Sequence, residues 1–398
     1  MIVEHLSLVD FRNYASAELD LRAGTNLLVG RNGQGKTNLA EAVAYLATLG
    51  SHRVSADAPL VREGKEAAFV RARLVHGSRH VTLELQVNRQ GSNKARISGN
   101  PVRPSELPRY AQVVLFAPED LGIVRGDPSS RRRFADQLLV QRAPRMGSVL
   151  ADYDRTLRQR TTLLKSARAR GMRIEQLTTL DVWDDKLVAL GSQIIDARAR
   201  LAADMQAPVA AAYEAIAGAD HAPELAWALS IGGADPEEDD GSGATVLDEG
   251  GATAERFRAA LQDRRAQELE RGLTLVGPHR DDLVLRLRGL PVKGYASHGE
   301  SWSVALSLRL ASAELLRAES PGGDPILILD DVFAELDASR RGRLAGVVAD
   351  YEQVIVTAAV AGDIPEPLRA DAVRIEDGAI LGPLAEHPLE ADGEHGDA

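Results

Sequence analysis

The stretch Gly30-Arg31-Asn32-Gly33-Gln34-Gly35-Lys36-Thr37 decides how the rest of the chain is interpreted. It fits the pattern G-x-x-x-x-G-K-[ST], a loop that binds nucleotide phosphates when it joins a strand to a helix. Residues 26–29 form a short apolar run typical of a strand, and residues 37–49 have helical character. The alternative is a glycine-rich turn that matches by chance, and the flanking strand and helix argue against it. The stretch therefore predicts an α/β fold around a phosphate-binding loop.

All eight residues of this loop are predicted to hold a nucleotide. The glycines let successive backbone N–H groups and the N-terminus of the following helix point at phosphate oxygens. Lys36 supplies a cation for the β- and γ-phosphates, and the Thr37 hydroxyl is a ligand for Mg²⁺. No N-K-x-D guanine signature occurs in the chain. The predicted cofactors are therefore ATP and Mg²⁺.

A second run, Ile326-Leu327-Ile328-Leu329-Asp330-Asp331, supplies the acidic half of such a site. Asp330 is predicted to be the second ligand of Mg²⁺, and Asp331 to orient or deprotonate the attacking water. By itself the run fits a strand that ends in an Asp-rich turn equally well. Asp330 follows Lys36 by 294 residues, far more than a small GTPase requires. We therefore predict catalytic roles for Lys36, Asp330 and Asp331, with a domain inserted between the two halves of the site.

The texture of the sequence changes twice and predicts three regions. Residues 1–115 alternate apolar and polar positions, as half-buried strands do, whereas residues 116–270 are rich in Ala, Leu, Arg and Gln, as helices are. Strand patterns then return, with continuous apolar runs that suit a parallel sheet covered on both faces. We predict one head built from 1–115 and 271–384, with 116–270 inserted as a lobe of short helices. Within the lobe, 232–251 is predicted to be an acidic mobile loop, and 385–398 a disordered acidic tail.

The composition excludes several classes of protein. Hydrophobic residues make up 44% and charged residues 26% of the 398 residues, as is usual for a globular protein. The chain has no cysteine, which excludes a disulfide framework or a cysteine nucleophile and favours a cytoplasmic location. No stretch reaches the ~18 apolar residues of a membrane span, and the start does not read as a signal peptide. We expect neither a secreted nor a membrane-embedded protein.

The acidic net charge does not exclude nucleic acid as a partner. The chain has 47 Lys and Arg against 58 Asp and Glu, a formal net charge of −11. Twelve of the acids lie in residues 235–249 and 386–397, which contain no Lys or Arg, so the remainder carries a net charge of +1. Basic residues near the start of the helical region are candidate phosphate contacts, and a solvated helix face explains them equally well. They are Arg125, Arg131, Arg132, Arg133, Arg155, Arg158, Arg160, Lys165, Arg168 and Arg170.

A short serine and glycine segment precedes a helix upstream of the acidic strand. The segment is Ser297-His298-Gly299-Glu300-Ser301, and the helix is predicted over residues 302–317 from one apolar stripe. Taken alone, the segment predicts a helix N-cap. It also resembles the S-G-G-Q signature of ABC-type ATPases. That resemblance implies that Ser297, Gly299 and Glu300 of one subunit complete the ATP site of a second.

Motifs along most of the chain resemble those of the RecF family of bacterial recombination mediators. They keep their order and spacing from about residue 2 to residue 377, and the acidic loop and tail lie outside them. The motifs are Asp10-Phe11-Arg12-Asn13-Tyr14, Ser51-His52-Arg53, Phe116-Ala117-Pro118-Glu119-Asp120-Leu121, Gly277-Pro278-His279-Arg280-Asp281-Asp282 and Leu329-Asp330-Asp331-Val332-Phe333-Ala334-Glu335-Leu336-Asp337. Within the last of them, Glu335-Leu336-Asp337 resembles the D-loop of ABC-type ATPases.

The resemblance to the RecF family implies a fold and an activity. The implied fold is an ABC-type P-loop ATPase head with a mixed sheet, like those of SMC and Rad50 proteins, with a compact helical lobe in place of a long coiled coil. The implied activity is slow, DNA-stimulated ATP hydrolysis by a clamp that forms a homodimer when it binds ATP. The implied partners are DNA at single-strand gaps or junctions, and RecO and RecR, which help to load RecA.

Two departures from the ABC pattern bear on the rate of hydrolysis. Asp331 stands where the usual catalytic residue is Glu, and Thr357 stands where transporters carry a switch histidine. A carboxylate one methylene shorter reaches the water less well, so slow turnover is expected. Two rival functions stay open: an ATP-gated DNA scaffold without significant hydrolysis, and the energising subunit of a transporter. The transporter is disfavoured because Ser297 lies 261 residues beyond Lys36, a longer insertion than such subunits carry.

Three further residues carry weaker signals. His279 is a conceivable metal ligand, but no H-E-x-x-H pattern or clustered histidine accompanies it, so a structural role at the lobe contact is predicted. Asn13 and Tyr14 are candidates to approach an adenine base, although an aromatic residue beside an N-terminal strand is more often part of the core.

Overall fold

A computed structural model describes residues 1–234, 252–320, 323–369 and 372–383. The predicted acidic tail lies outside these residues, as does most of the predicted acidic loop. The described chain contains fifteen strands and nine helices. The strands are β1 (Ile2–Phe11), β2 (Tyr14–Asp20), β3 (Gly24–Val29), β4 (Ala67–His76), β5 (Arg79–Asn88), β6 (Lys94–Ile97), β7 (Asn100–Val102), β8 (Val113–Phe116), β9 (Glu224–Ala228), β10 (Asp282–Leu287), β11 (Leu290–Pro291), β12 (Ile326–Asp330), β13 (Gln353–Ala358), β14 (Ala372–Glu376) and β15 (Ala379–Pro383). The helices are α1 (Lys36–Thr48), α2 (Leu121–Arg125), α3 (Pro128–Arg142), α4 (Arg145–Ala169), α5 (Leu180–Ala217), α6 (Ala252–Arg271), α7 (Val292–Tyr295), α8 (His298–Glu319) and α9 (Ala338–Val348).

The central sheet has six strands in the order β15-β14-β3-β13-β12-β8. Its neighbouring strands are parallel except for the antiparallel β14–β15 hairpin, so the predicted mixed sheet is confirmed. Strands from both ends of the chain lie side by side in it. Leu327 and Leu329 face one hydrophobic core, and Ile326 and Ile328 face the other. Coverage on both faces explains why this strand is continuously apolar.

Helix α1 is buried between the central sheet and a second, antiparallel sheet of order β2-β1-β4-β5-β6-β7. Leu39 and Val43 of the helix share a core with Leu28 of β3 and with Leu6 and Leu83 of the second sheet. Ten of the thirteen residues of α1 are buried, as expected for a helix enclosed on all sides. The position of its N-terminus relative to both sheets is therefore set by packing.

The opposite face of the central sheet packs against helices of the middle region and against α8 and α9. The expectation of short helices is wrong, because α5 runs for 38 residues with Gly191 and Pro208 inside it. A Cβ at Gly191 would lie 2.5 Å from the Phe257 ring of α6. This glycine therefore allows two helices to approach closely and does not end the helix.

A third sheet of β11, β10 and β9 joins parts of the chain that the sequence assigns to different domains. Leu283 and Leu285, in the predicted head, pair with Trp227 and Leu225, in the predicted lobe. The alternating pattern of β10 therefore marks a strand of this small antiparallel sheet rather than of the central sheet. The domain boundaries at residues 115 and 270 stay predictions.

A fully buried arginine ties the helices of the middle region together. Arg160 of α4 donates to Asp184 of α5 at 2.6 Å, to Glu268 of α6 at 2.6 Å and to Thr274 at 2.9 Å. Its side chain is 0% exposed. Arg160 was a candidate contact for DNA phosphates, and this burial contradicts that role.

Replacing Arg160 by alanine is expected to lower the free energy of unfolding by about 3–5 kcal/mol, because the carboxylates of Asp184 and Glu268 would stay buried without their cation. The matched control Arg158→Ala removes an exposed arginine from the same helix and should change that free energy by less than about 0.5 kcal/mol. Urea titration followed by far-UV circular dichroism measures both. Equal losses in the two variants would show that the network contributes nothing.

Candidate functional site

The phosphate-binding loop occupies the connection between β3 and α1, as predicted. Two of its glycines are required by close contacts. A Cβ at Gly30 would lie 2.1 Å from the backbone oxygen of Ile375 in β14. At Gly35, φ is +118° and a Cβ would lie 2.6 Å from the hydroxyl oxygen of Tyr14. Only glycine therefore lets the loop pass between its neighbours.

Lys36 is held at the start of α1 with its side chain only 3% exposed. Its ammonium donates to the backbone oxygen of Arg31 at 3.2 Å and lies 4.0 Å from a carboxylate oxygen of Asp331. An ammonium has three donors, so this lysine retains the capacity to bind a phosphate oxygen. Lys36 is thus placed to bind phosphate together with the backbone N–H groups of the loop.

The carboxylate of Asp330 is the meeting point of three elements. Its Oδ1 accepts a hydrogen bond from the Thr37 hydroxyl of α1 at 3.0 Å and from the Thr357 hydroxyl of β13 at 2.6 Å. Burial raises the pKa of Asp330 to about 6, the neighbouring charge of Asp331 adds to the rise, and the two hydroxyls oppose it. Sequence reasoning assigned no contact to Thr357. The one signal for it was that it stands where transporters carry a switch histidine.

The side chains of Thr37 and Asp330 are chemically suited to bind Mg²⁺. Both present hard oxygen ligands, and Mg²⁺ is usually held by one or two carboxylates together with phosphate oxygens and waters. The bound cation would favour the ionised form of Asp330 that burial disfavours. Within the described ranges, no group of three or more His, Asp or Glu side chains is arranged to hold a metal ion by itself.

Asp331 points differently from Asp330 because its backbone is left-handed. Its φ is +51°, and its N–H donates to the Thr357 hydroxyl at 3.0 Å. The side chain is 30% exposed and faces Lys36, whereas Asp330 is 3% exposed. Two adjacent carboxylates thus have different environments: one is buried among hydroxyls, and the other is open to water beside the lysine.

The motif at residues 10–14 braces α1 and the loop. Arg12 binds the buried carboxylate of Glu41 through two nitrogens at 2.6 and 2.8 Å. Asn13 donates to the backbone oxygen of Gln34 at 3.2 Å. Tyr14 is 0% exposed and part of the core, which confirms the more ordinary expectation for it. Glu41 was missed by sequence reasoning, since an acid inside a helix carries no signal by itself.

The motif at residues 51–53 contacts the same helix and shares the carboxylate of Glu41 with Arg12. The Ser51 hydroxyl donates to Glu41, and Arg53 donates to Asn38 at 2.8 Å. His52 lies 3.9 Å from the carboxylate of Asp330, and burial lowers the pKa of this imidazole. The motif is therefore a support of the phosphate site.

The turn between β14 and β15 is hydrogen-bonded to the phosphate-binding loop. Gly378, between β14 and β15, donates its N–H to the backbone oxygen of Gln34 at 3.0 Å. The N–H of Asp377 donates to the side-chain oxygen of the same glutamine. Gln34 was predicted to contact phosphate through its backbone, and the structure adds that its side chain anchors the hairpin.

The signature-like segment begins α8 as an N-cap. The Ser297 hydroxyl accepts from the Glu300 N–H at 3.2 Å, and the Glu300 carboxylate accepts from the Ser297 N–H at 2.9 Å. Glu300 also pairs with Arg288. Within the described part of a single chain, Ser297 and Glu300 form no hydrogen bond or ion pair with the phosphate-binding loop. Their contribution, with Gly299, to the site of a second subunit stays a prediction.

Arg340 connects the signature-like segment to the D-loop-like one. Its N–H and guanidinium bind Asp337 at the start of α9, and its Nε donates to the Ser303 hydroxyl of α8 at 3.1 Å. The guanidinium lies over Gly299, where a Cβ would be 3.0 Å from Nη2. This arginine had no motif around it, so the sequence offered no signal for it.

His279 has a structural role, as predicted. Its Nε2 donates to the backbone oxygen of Thr274 at 3.1 Å, which leaves Nδ1 to accept from the Tyr153 hydroxyl at 2.8 Å. Burial lowers the pKa of the imidazole to about 3. Both ring nitrogens are therefore engaged within the protein.

Together the fold and the site define the class of protein. A phosphate loop between β3 and α1, an acidic strand end two strands away and a capped helix in the same head define an ABC-type P-loop ATPase head. The family model described as "RecF/RecN/SMC N terminal domain" matches residues 2–374. The predicted fold class is confirmed.

Comparisons with relatives narrow this class to one family. DNA replication and repair protein RecF of Clavibacter sepedonicus is 59% identical over 96% of this chain and 95% of its own length. The protein of the same name from Leifsonia xyli subsp. xyli is 59% identical over 96% of this chain and 100% of its own length. The chain belongs to the RecF family, so the resemblance in its motifs is confirmed.

Solved structures agree with this assignment. The structure of the recombination mediator protein RecF-ATP in the RecFOR pathway superposes with a TM-score of 0.84 at 26% identity, over 96% of this chain and 97% of that chain. An Smc head domain from Pyrococcus furiosus gives a TM-score of 0.50 at 15% identity over 95% and 94% of the two chains, which shows the fold alone. Among the described helices, none is both long and apolar enough to cross a membrane.

The contact between Gly30 and β14 leads to a test of the loop. Gly30→Ala is expected to cost about 1–3 kcal/mol of stability, because the new methyl group overlaps a backbone oxygen, and to weaken ATP binding by moving the loop. The control Gly346→Ala, in α9, likewise adds a methyl group at a position without positive φ, but in open space. Isothermal titration calorimetry with ATP compares the two. ATP affinity that is unchanged in Gly30→Ala would refute this account of the loop.

Proposed function

We propose that this chain is an ATP-gated DNA clamp of recombinational repair. The observation that carries the proposal is the site itself: Lys36 and Thr37 meet Asp330 and Asp331 across 294 residues of sequence. ATP would lie on residues 30–37, with Mg²⁺ held by Thr37 and Asp330. When bound there, the ion would neutralise the negative charge that develops on the transferred phosphoryl group.

A second copy would complete this site. Ser297, Gly299 and Glu300 at the N-terminus of α8 would close over the γ-phosphate of the partner, where helix N–H groups favour an anion. ATP then shifts the equilibrium towards the closed homodimer because it binds that state more tightly than the open one. Arg340 would transmit a shift of the signature-like segment to the D-loop-like segment, since its guanidinium lies over Gly299 and binds Asp337.

Hydrolysis would reopen the clamp. Asp331, open to water beside Lys36, is the group placed to orient or deprotonate the attacking water, and a carboxylate as short as this one makes slow turnover the expectation. DNA at single-strand gaps or junctions is the proposed substrate of the clamp and the stimulant of hydrolysis. RecO and RecR are the proposed partners through which the clamp helps to load RecA.

Lys36→Arg is expected to abolish ATP-dependent dimerisation and to lower ATP turnover by about 100-fold or more, because a planar guanidinium cannot replace a point charge inside the loop. Basal DNA binding should persist. The control Lys186→Arg makes the same change at an exposed site and should leave all three unchanged. Sedimentation with ATP, ADP or neither, with and without gapped DNA, gives the oligomeric state. A wild-type monomer in every condition would rule out the clamp.

Asp331→Asn distinguishes the hydrolysing clamp from the rival function, a DNA scaffold that holds ATP without significant hydrolysis. This variant is expected to lower turnover by about 100-fold or more and to keep ATP-dependent dimerisation, because the Asp331 side chain is not a predicted ligand of the nucleotide. Phosphate release and sedimentation measure the two properties. Wild-type turnover no faster than that of the variant would favour the scaffold.

A further inference from the structure

A large cleft lies between the end of α1 with residues 103–109 on one side and the helices of the middle region on the other. Its volume is about 1170 Å³. It is bordered by the C-terminal end of α1, by residues 103–109 and by α3, α4 and α5. None of residues 30–37 lines it, and neither do Asp330 and Asp331. The cleft is therefore separate from the nucleotide site.

The cleft is lined by more cations than anions. Seven arginines face four acids in its lining. The arginines are Arg103, Arg109, Arg132, Arg133, Arg145, Arg155 and Arg198, and the acids are Glu106, Asp136, Asp152 and Asp154. An excess of guanidinium groups on concave walls focuses positive potential into the cleft.

Two of these arginines are neutralised locally. Arg198 binds Asp136 through two nitrogens at 2.9 and 2.8 Å, and Arg155 pairs with Asp152 at 2.9 Å. The other five form no ion pair with a carboxylate within the described ranges. Four of those five are exposed, namely Arg103, Arg109, Arg133 and Arg145.

Arg132 is the fifth and sits deeper. Its guanidinium donates to the backbone oxygen of Asp281 at 2.7 Å, a neutral acceptor. Burial lowers its pKa, and the nearby charge of Arg198 lowers it further. An anion in the cleft would offset both effects.

The chemistry of the lining favours phosphodiesters over an acidic peptide. Guanidinium forks match the geometry of phosphate oxygens. A bound peptide would need exposed apolar anchors, whereas the larger apolar side chains of the lining, such as Leu49, Val140 and Leu150, are half-buried. The volume is just above the range of about 300–1,000 Å³ found for small-ligand pockets, so it suits a few nucleotides of one strand rather than a double helix.

We propose that this arginine-lined cleft binds the phosphate backbone of single-stranded DNA. The inference rests on the proposed function in one respect, namely that DNA is the partner of the protein. It adds a site for the unpaired strand that is distinct from the nucleotide site. It also divides the basic residues of the middle region, since Arg132 and Arg133 face the cleft whereas Arg131 and Arg160 are buried in ion pairs.

The test compares two double variants of the full-length protein. Arg133→Ala with Arg145→Ala removes two exposed cleft cations. Arg256→Ala with Arg264→Ala removes two exposed cations of α6 that do not line the cleft. Fluorescence anisotropy of a labelled oligo-dT strand is measured over a salt series, after thermal melting has shown that both variants are folded. Each lost phosphate contact should reduce the slope of log K against log salt by about 0.7.

The cleft variant is expected to lose about 1.4 from that slope and to bind the strand more weakly, and the α6 variant to match the wild type. Equal slopes in all three proteins overturn the cleft. If poly-glutamate displaced the labelled strand as effectively as unlabelled oligo-dT does, the proposal of a DNA site would be overturned in favour of an acidic peptide. Wild-type protein that binds gapped or duplex DNA but not oligo-dT rejects the cleft and leaves the clamp standing. Wild-type protein that binds no DNA at all rejects both.

Discussion

The carboxylate of Asp330, shared by the hydroxyls of Thr37 and Thr357, is the contact on which the site depends. It joins the N-terminus of α1 to the ends of two parallel strands that the chain reaches almost three hundred residues later. Burying a carboxylate is costly unless hydrogen bonds compensate it, and here two hydroxyls offset part of that cost. Without this junction the phosphate loop and the acidic strand end would be two unrelated pieces of sequence.

Packing around α1 explains why the junction is well positioned. The helix is enclosed by two sheets, and its one buried acid, Glu41, is satisfied by Arg12 and Ser51. Removing one partner from such a group leaves an uncompensated buried charge. The motifs at residues 10–14 and 51–53 are therefore parts of one support, although they lie on opposite sides of the helix in sequence.

The arginines of the middle region show that composition alone does not reveal function. Arg131 and Arg160 are tied to Asp282 and to Asp184 with Glu268, and they hold helices and strands together. Arg133 and Arg145 have no such partners in the described structure and face a cleft. A helix of ordinary spacing presents neighbouring residues on different faces, so adjacent arginines in one cluster have different roles.

The sequence by itself determined the phosphate loop, the acidic strand end, the N-cap at Ser297 and the family, because each of these is encoded in residue types at short, fixed spacing. It also indicated a parallel sheet, since continuous apolar runs occur where both faces of a strand are covered. Only the tertiary structure decided that Thr357 binds Asp330, that β10 pairs with β9, that α5 continues through Gly191, and which arginines are buried. Those outcomes depend on partners far away in the chain, and local spacing carries no information about which distant side chain will fill a contact.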